Sequence, residues 1–339
     1  MPRMLLGTAR RATLVVPLLA LAACATATAE TPASTPAATS TATATTASSP
    51  ATIDNCGTTI TPDGTPERIV TVKSTTTELL IELGLADRIA GAGFLDGPIE
   101  APYTATDVDI PVISDFLPGP EATLDLDPDA LVGGWESNFA ADGLGERAAL
   151  ADLGILTYVA PSACKEAGYM PDPMTFDLLW EQIEEAGRVF GAEDAAAALV
   201  ETMRTGLEGI DPSTAGLTAV WYSSGDDAPY VGAGIGAPQM MMDAAGLTNV
   251  FADVHDTWTS ATWEAVVAAD PDVIVLIDAT WNTAASKIEA LEANPATAAL
   301  TAVKERHYVT IPFAAGEAGV RNVKAVESIL EQLGALGLS

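Results

Sequence analysis

The side chains of this chain that could do chemistry fall into two sets, each spread over loops that follow apolar runs. The first set is Lys73, Ser74, Thr75, Trp135, Glu136, Ser137 and Asn138; the second is Tyr222, Tyr230, Trp258, Trp281, Asn282 and Arg321. Aromatic rings on two facing walls suit a flat conjugated ligand, which stacks between them. Lys73, Lys165 and Arg321 suit carboxylate or phosphate oxygens, and they stand out in a chain with 15 basic against 46 acidic residues. This is binding chemistry. There is no G-x-S-x-G elbow and no P-loop, and neither His255 nor His307 falls in a triad pattern, so nothing points to an enzyme or a cofactor. With two histidines in all, a zinc site is not expected. Gly232-Ala233-Gly234-Ile235-Gly236 lacks dinucleotide-fingerprint spacing and reads as a tight turn. Each candidate also has a plain structural reading: Trp135 and Trp281 can be ordinary packing, Arg321 can pair with Glu317, and Lys165 can simply be exposed. Trp180 and Trp263 read as core.

The elements that must position these residues alternate between strand and helix. Arg68–Val72 reads as a short buried strand, Lys73–Thr76 as a polar loop, and the next residues as a helix with Leu79, Leu80 and Leu83 on one face, closed by Gly84. Further strands are expected at Arg88–Ala92, Leu131–Gly134 and Leu156–Val159, with a helix from Glu146 to Leu153. From Pro173 to about Ile210 the period becomes helical throughout, with an interruption near Gly191. Alternation then resumes: strands at Leu217–Tyr222, Val273–Ile277 and His307–Ile311, and helices at Gln239–Ala245, from Ala284 and from Val320. The pattern predicts an α/β protein: two Rossmann-like lobes with mostly parallel sheets, residues 52–172 and 212–339, joined by a long rigid interlobe helix over 173–211. Such a joint should hinge little.

The residues that bear on location lie before residue 52. Arg3, Arg10 and Arg11 precede an apolar run, Leu14–Ala23, that is too short to span a bilayer and reads as a secretory signal over 1–23. Leu21-Ala22-Ala23-Cys24 resembles the lipobox of bacterial lipoproteins, which implies cleavage before Cys24 and a diacylglyceryl group on its thiol. Residues 24–51 then hold little but Ala, Thr, Ser and Pro, a composition that cannot repay the entropy of folding and reads as a disordered tether. A coil of that length averages roughly 30 Å end to end. Removing the signal leaves 12 basic against 46 acidic groups, a strongly negative mature chain that excludes nucleic acid as a partner and disfavours adhesion to anionic lipid. With Cys24 lipidated, Cys56 and Cys164 are an even pair in an oxidising compartment, and a disulfide is expected; free or metal-binding thiols are the alternative.

One pattern occurs twice. Glu121 and Glu264 are each followed, after six residues, by Pro-Asp and then an apolar strand: Pro128-Asp129 in the first half, Pro271-Asp272 in the second. With the pieces Arg68–Val72, Thr77-Glu78-Leu79-Leu80, Leu83-Gly84-Leu85, Pro128–Val132, Ala245–Val250, Pro271–Val275, and Ala302-Val303-Lys304 before His307-Tyr308-Val309, the chain resembles the ferric-siderophore and cobalamin class of periplasmic binding proteins over roughly residues 67–335. That resemblance implies a class III binding fold, a monomer held at the outer face of the cytoplasmic membrane through Cys24, and delivery of a solute to an ABC permease dimer with its ATPase. It also implies that Lys73 faces the cleft, and that Glu121 and Glu264 dock into arginine pockets on the permease; each can equally serve as a favourable charge at a helix start. The segments Thr71–Glu78, Phe94–Pro98, Ser114–Gly119, Gly134–Asn138 and Ala163–Glu166 are similar to an actinobacterial branch proposed to carry a precursor of the deazaflavin coenzyme F-420. The ligand this favours is planar and anionic; a ferric siderophore or cobalamin is the alternative, and an anchored sensor without transport is the alternative of a different class.

Overall fold

The computed structural model describes residues 52–99 and 108–338. The signal segment, Cys24 and the tether lie outside the described residues. A hairpin, β1 (Ile53–Asn55) and β2 (Thr58–Ile60), opens the chain. It is followed by β3 (Ile69–Val72), α1 (Ser74–Glu82), β4 (Ile89–Gly93), β5 (Val112–Ser114), α2 (Pro120–Leu124), β6 (Ala130–Gly133), α3 (Arg147–Asp152) and β7 (Leu156–Val159). The five strands from β3 to β7 form one parallel sheet in the order β5-β4-β3-β6-β7. In that doubly wound order the direction of winding reverses between β3 and β6, and ligands of such sheets sit outside the strand ends at that reversal.

Two helices follow, α4 (Phe176–Phe190) and α5 (Glu193–Glu208), packed against each other. The expected helical stretch is two helices, broken at Gly191 where the sequence places an interruption, and the single long interlobe helix is in fact this pair. Gly191 takes φ +67°, a left-handed conformation that lets the chain reverse with no side chain to clash. Thr175 starts α4 by accepting from the Leu178 amide at 3.1 Å. At its start the Met174 amide bonds Ile235 of the second lobe, and at its end the Phe190 carbonyl accepts from Arg88 of the first. The pair thus strings the two lobes together.

The second lobe contains β8 (Thr218–Ser224), β9 (Tyr230–Gly232), α6 (Ala237–Ala245), β10 (Thr248–Asn249), β11 (Trp258–Ser260), α7 (Trp263–Ala269), β12 (Val273–Asp278), α8 (Ala284–Ala293), α9 (Thr301–Lys304), β13 (Tyr308–Pro312), α10 (Phe313–Gly316) and α11 (Asn322–Ala335). Its sheet runs β11-β9-β8-β12-β13, with β10 beside β8. β8, β10, β12 and β13 are parallel, while β9 and β11 fold back antiparallel at the edge.

The doubled Glu–Pro-Asp pattern has a structural cause. Asp129 accepts hydrogen bonds from the Glu67 and Arg68 amides, just ahead of β3, while the strand it introduces, β6, pairs with β3. Asp272 does the same in the second lobe, accepting from the Thr218 amide at 2.8 Å at the head of β8, the neighbour of β12. Two residues earlier, Asp127 and Asp270 both adopt positive φ, +47° and +40°, a conformation that Asp tolerates better than most residues. Each aspartate staples the start of one central strand to the turn that launches the next.

One apolar cluster runs through both lobes, from Ile69 and Val132 through α1, α4, α6 and α11 to Val275 and Ile311. Smaller clusters cover the outer faces of the two sheets. A shared core of this kind resists large opening, since separating the lobes would expose apolar surface at about 25 cal/mol per Å².

Candidate functional site: the interlobe cleft

The carboxyl ends of β3, β6, β8, β12 and β13 converge on a cleft of about 720 Å³ between the lobes, within the size range of small-molecule sites. From the first lobe it is lined by Thr75, Trp135, Glu136, Ser137, Lys165 and Glu166; from the second by Ser223, Tyr230, Thr257, Trp258, Trp281, Phe313 and Glu317, among others. Of the residues singled out from the sequence, Thr75, Trp135, Glu136, Ser137, Lys165, Tyr230, Trp258 and Trp281 meet on this cleft.

Its walls are aromatic. Tyr230 and Trp258 sit on the paired strands β9 and β11 and stack with ring centres 5.9 Å apart and planes 12° from parallel. A second series crosses from lobe to lobe: Phe94 to Trp135 at 5.5 Å, Trp135 to Phe313 at 6.4 Å, and Phe313 to Trp281 at 5.5 Å. Trp281 is nearly half exposed, so a ring face is open to a ligand.

Behind this series lies Lys73. It caps α1 at φ +84°, a costly conformation for a residue with a Cβ. Only a glycine fits opposite: a Cβ on Gly134 would come 2.7 Å from the Lys73 Cβ. The Lys73 ammonium is wholly buried, pairs with Asp96, and lies 4.1–4.5 Å from the ring centres of Phe94, Trp135 and Phe313. Ser74 completes the cluster: its hydroxyl accepts from the Asp96 amide at 2.9 Å. Burial raises the Asp96 carboxyl above its ordinary range, and Lys73 opposes that shift.

Several expectations are corrected here. Lys73-Ser74-Thr75-Thr76 is not a loop, because Ser74 already begins α1. Lys73 and Ser74 do not reach the cleft, since Asp96 engages both. Arg321 does not reach it either: its Nε donates to Glu78 Oε2 at 2.6 Å and its Nη2 to Oε1, a buried pair between lobes, and Glu317 is not its partner. Asn138 is buried as a local brace, accepting from the Trp135 amide at 2.8 Å. Tyr222 points to the opposite face of β8, packs edge-on to Trp263 and donates to the Gly225 carbonyl at 3.0 Å. Asn282 lies outside the lining, its carbonyl accepting from Lys287 at 2.7 Å.

Phe313, Glu317, Thr257, Ser223 and Glu166 line the cleft and were not among the candidates. Phe313 and Glu317 follow β13, and Thr257 precedes β11; the first two could have been found by the same rule of strand ends that found Trp135. Lys165 reaches across the cleft, donating to Asp256 at 2.9 Å and Thr257 at 2.6 Å, while its amide donates to Glu136. The Glu317 carboxyl accepts from Trp135 Nε1 at 2.5 Å. Burial raises its pKa to about 7, Lys73 lowers it and Asp96 raises it further. Cys56 and Cys164 are joined in a disulfide, with Cα atoms 5.4 Å apart, and the chain between them holds all five strands of the first sheet. Glu121 and Glu264 stand exposed in the first turns of α2 and α7.

A family model described as periplasmic binding protein matches residues 69–315. The chain is 27% identical over 292 residues to an ABC transporter substrate-binding lipoprotein, YvrC, of Bacillus subtilis strain 168, covering 84% of this chain and 85% of that one. It is 28% identical over 236 residues to a cobalamin-binding protein of Halobacterium salinarum, covering 66% of this chain but only 57% of that longer relative. Among solved structures, an ABC-type Fe3+-hydroxamate transport system protein from Saccharomonospora viridis superposes with a TM-score of 0.73 at 28% identity, over 84% of this chain and 99% of that one. A periplasmic binding protein from Veillonella parvula does so with a TM-score of 0.71 at 25% identity, over 84% and 97%.

Proposed function

The chain belongs to the periplasmic binding protein family, and from that premise we propose that it is the solute-binding lipoprotein of an ABC importer, capturing a flat aromatic solute between its lobes. The observation that carries the ligand class is the series of rings lining the cleft from Trp135 through Phe313 to Trp281, with the stacked Tyr230 and Trp258 on the same cleft. The charge of the cleft refines the class. Lys73 and Arg321 are both engaged in buried ion pairs, so among the described residues Lys165 is the one cation on the wall, against Glu136, Glu166 and Glu317. A neutral ring with a hydroxylated arm suits such a lining better than the anion expected from the sequence. The deazaflavin precursor of coenzyme F-420, the solute that the sequence resemblance implies, supplies the flat conjugated ring. A ferric hydroxamate complex is the second reading, favoured by the likeness to the Saccharomonospora viridis protein.

Capture is followed by delivery. Cys24, lipidated, holds the protein at the outer face of the membrane, and Glu121 and Glu264 meet two symmetry-related basic pockets on a permease dimer. A thermal-shift panel of deazaflavin precursor, ferric hydroxamates and cobalamin tests the ligand. Saturation at 100 times Kd stabilises by about 2.7 kcal/mol, a readily visible rise in melting temperature. A rise with the deazaflavin alone supports the first reading; a rise with ferric hydroxamates alone replaces it with the second.

A further inference from the structure

Glu317 is placed with unusual care for a residue on a connecting segment between α10 and α11. Its carbonyl accepts from Asn322 Nδ2 at 2.7 Å, and the fully buried Asn322 also accepts from the Gly319 amide at 2.8 Å and donates to the Ala315 carbonyl at 3.0 Å. Its Oε1 accepts from Trp135 of the opposite lobe. Its Oε2 is buried and makes no hydrogen bond of normal geometry among the described residues, with the Thr75 hydroxyl the side-chain donor that acts on the carboxyl besides Trp135; the residue itself lines the cleft. A buried carboxylate oxygen with an open acceptor site costs free energy unless something donates to it. The nearby cations do not fill that role: Lys73 pairs with Asp96, Lys165 with Asp256, and Arg321 with Glu78.

We propose that Glu317 is the recognition acceptor of the cleft, its Oε2 taking a ring N–H or O–H of the bound solute. This rests on the reading of the protein as a binder of flat aromatic solutes. It adds the class: heteroaromatic rings that carry a donor on their edge, such as the imide N–H of a deazaflavin. Stacking on the aromatic walls accepts any flat ring, so a single fixed acceptor is what would separate rings with such an edge from those without. The group facing Glu317 from α1 is Thr75, from the cap of α1 Lys73, from the loop after β4 Asp96, and from the loop after β6 Trp135; Glu136 and Lys165 share the cleft wall. With its pKa raised to about 7 by burial, Glu317 loses its charge, and its strength as an acceptor, as the pH falls below neutrality.

The test is equilibrium titration of the purified protein with a deazaflavin bearing a ring N–H and with its N-methylated counterpart, at pH 8 and pH 5.5, in wild type and Glu317→Gln. Wild type should bind the N–H probe about ten- to a hundredfold more tightly than the methylated one at pH 8, the range of a hydrogen bond to a charged group. That preference should shrink at pH 5.5 and be lost in Glu317→Gln. Equal affinity of wild type for both probes at pH 8 would overturn the inference, and this comparison needs no variant to fold. If neither deazaflavin binds and a ferric hydroxamate does, the ligand reading falls. Glu317 is then judged by that ligand: a Kd unchanged by Glu317→Gln and by pH would overturn its role as well.

Discussion

Arg321 at the head of α11 grips Glu78 of α1 through two guanidinium nitrogens, and the pair closes buried between the lobes, 243 residues apart in sequence. A planar fork on a carboxylate fixes orientation as well as distance, so the pair sets how α11 sits on the first lobe. Removing one partner strands the other charge in the interior. Glu78→Gln or Arg321→Met should each destabilise by about 3–5 kcal/mol in urea unfolding. The double variant Glu78→Leu/Arg321→Met should recover much of that loss, as no charge is then left buried.

The Cys56–Cys164 disulfide bridges 108 residues and ties the opening hairpin to the loop after β7. Disulfides typically stabilise by about 2–4 kcal/mol, chiefly through the unfolded chain. Cys56→Ser/Cys164→Ser, or reduction, should lower the melting temperature by several degrees. Solute affinity should change little, because neither cysteine lines the cleft.

Glu317 also makes stability depend on pH. Its folded pKa, about 7, lies above the ordinary 4.5, so the folded state holds a proton that the unfolded state releases. Stability therefore falls as pH rises from about 4.5 to 7, by on the order of 3 kcal/mol at most. Glu317→Gln should remove that slope: its unfolding free energy relative to wild type should rise across this window. An identical pH profile for the two proteins would contradict the assignment.

Glu121 and Glu264 form no side-chain hydrogen bond or ion pair among the described residues. Reversing their charge should cost stability little beyond the helix-terminus term, about 0.3–1 kcal/mol each. Glu121→Arg/Glu264→Arg should keep its solute Kd while losing uptake in cells and binding to the permease. Loss of solute binding instead would place these residues in a different role.

How far the sequence could be read followed from range. Strands β3, β4, β6, β7, β8, β12 and β13 are apolar runs set between helices, a local signal, and they lie within about two residues of expectation. β5 escaped notice because it is three residues of half-exposed edge, and β9 and β11 because an antiparallel edge shows no run of its own. Trp135, Tyr230, Trp258 and Trp281 stand on the cleft wall, whereas Phe313 on the same wall was not singled out and Tyr222 turns away. The charges of the cleft were not legible, because a lysine or arginine is read by its partner: Asp96 lies 23 residues from Lys73, and Glu78 far from Arg321 in sequence. Tyr222 shows the same limit on a smaller scale. Trp221 and Tyr222 face opposite sides of β8, and which side meets the other lobe is decided by the packing of α6 and α11.

The most direct measurement is a calorimetric titration of the purified protein with the deazaflavin precursor, with cobalamin and a ferric hydroxamate alongside. One-to-one saturable binding of the deazaflavin, weakened at least tenfold by Trp135→Ala or Trp258→Ala, is the predicted result, each ring contributing about 0.5–1.5 kcal/mol beyond its buried area. No saturable binding of the deazaflavin, or affinity untouched by losing either ring, would contradict it.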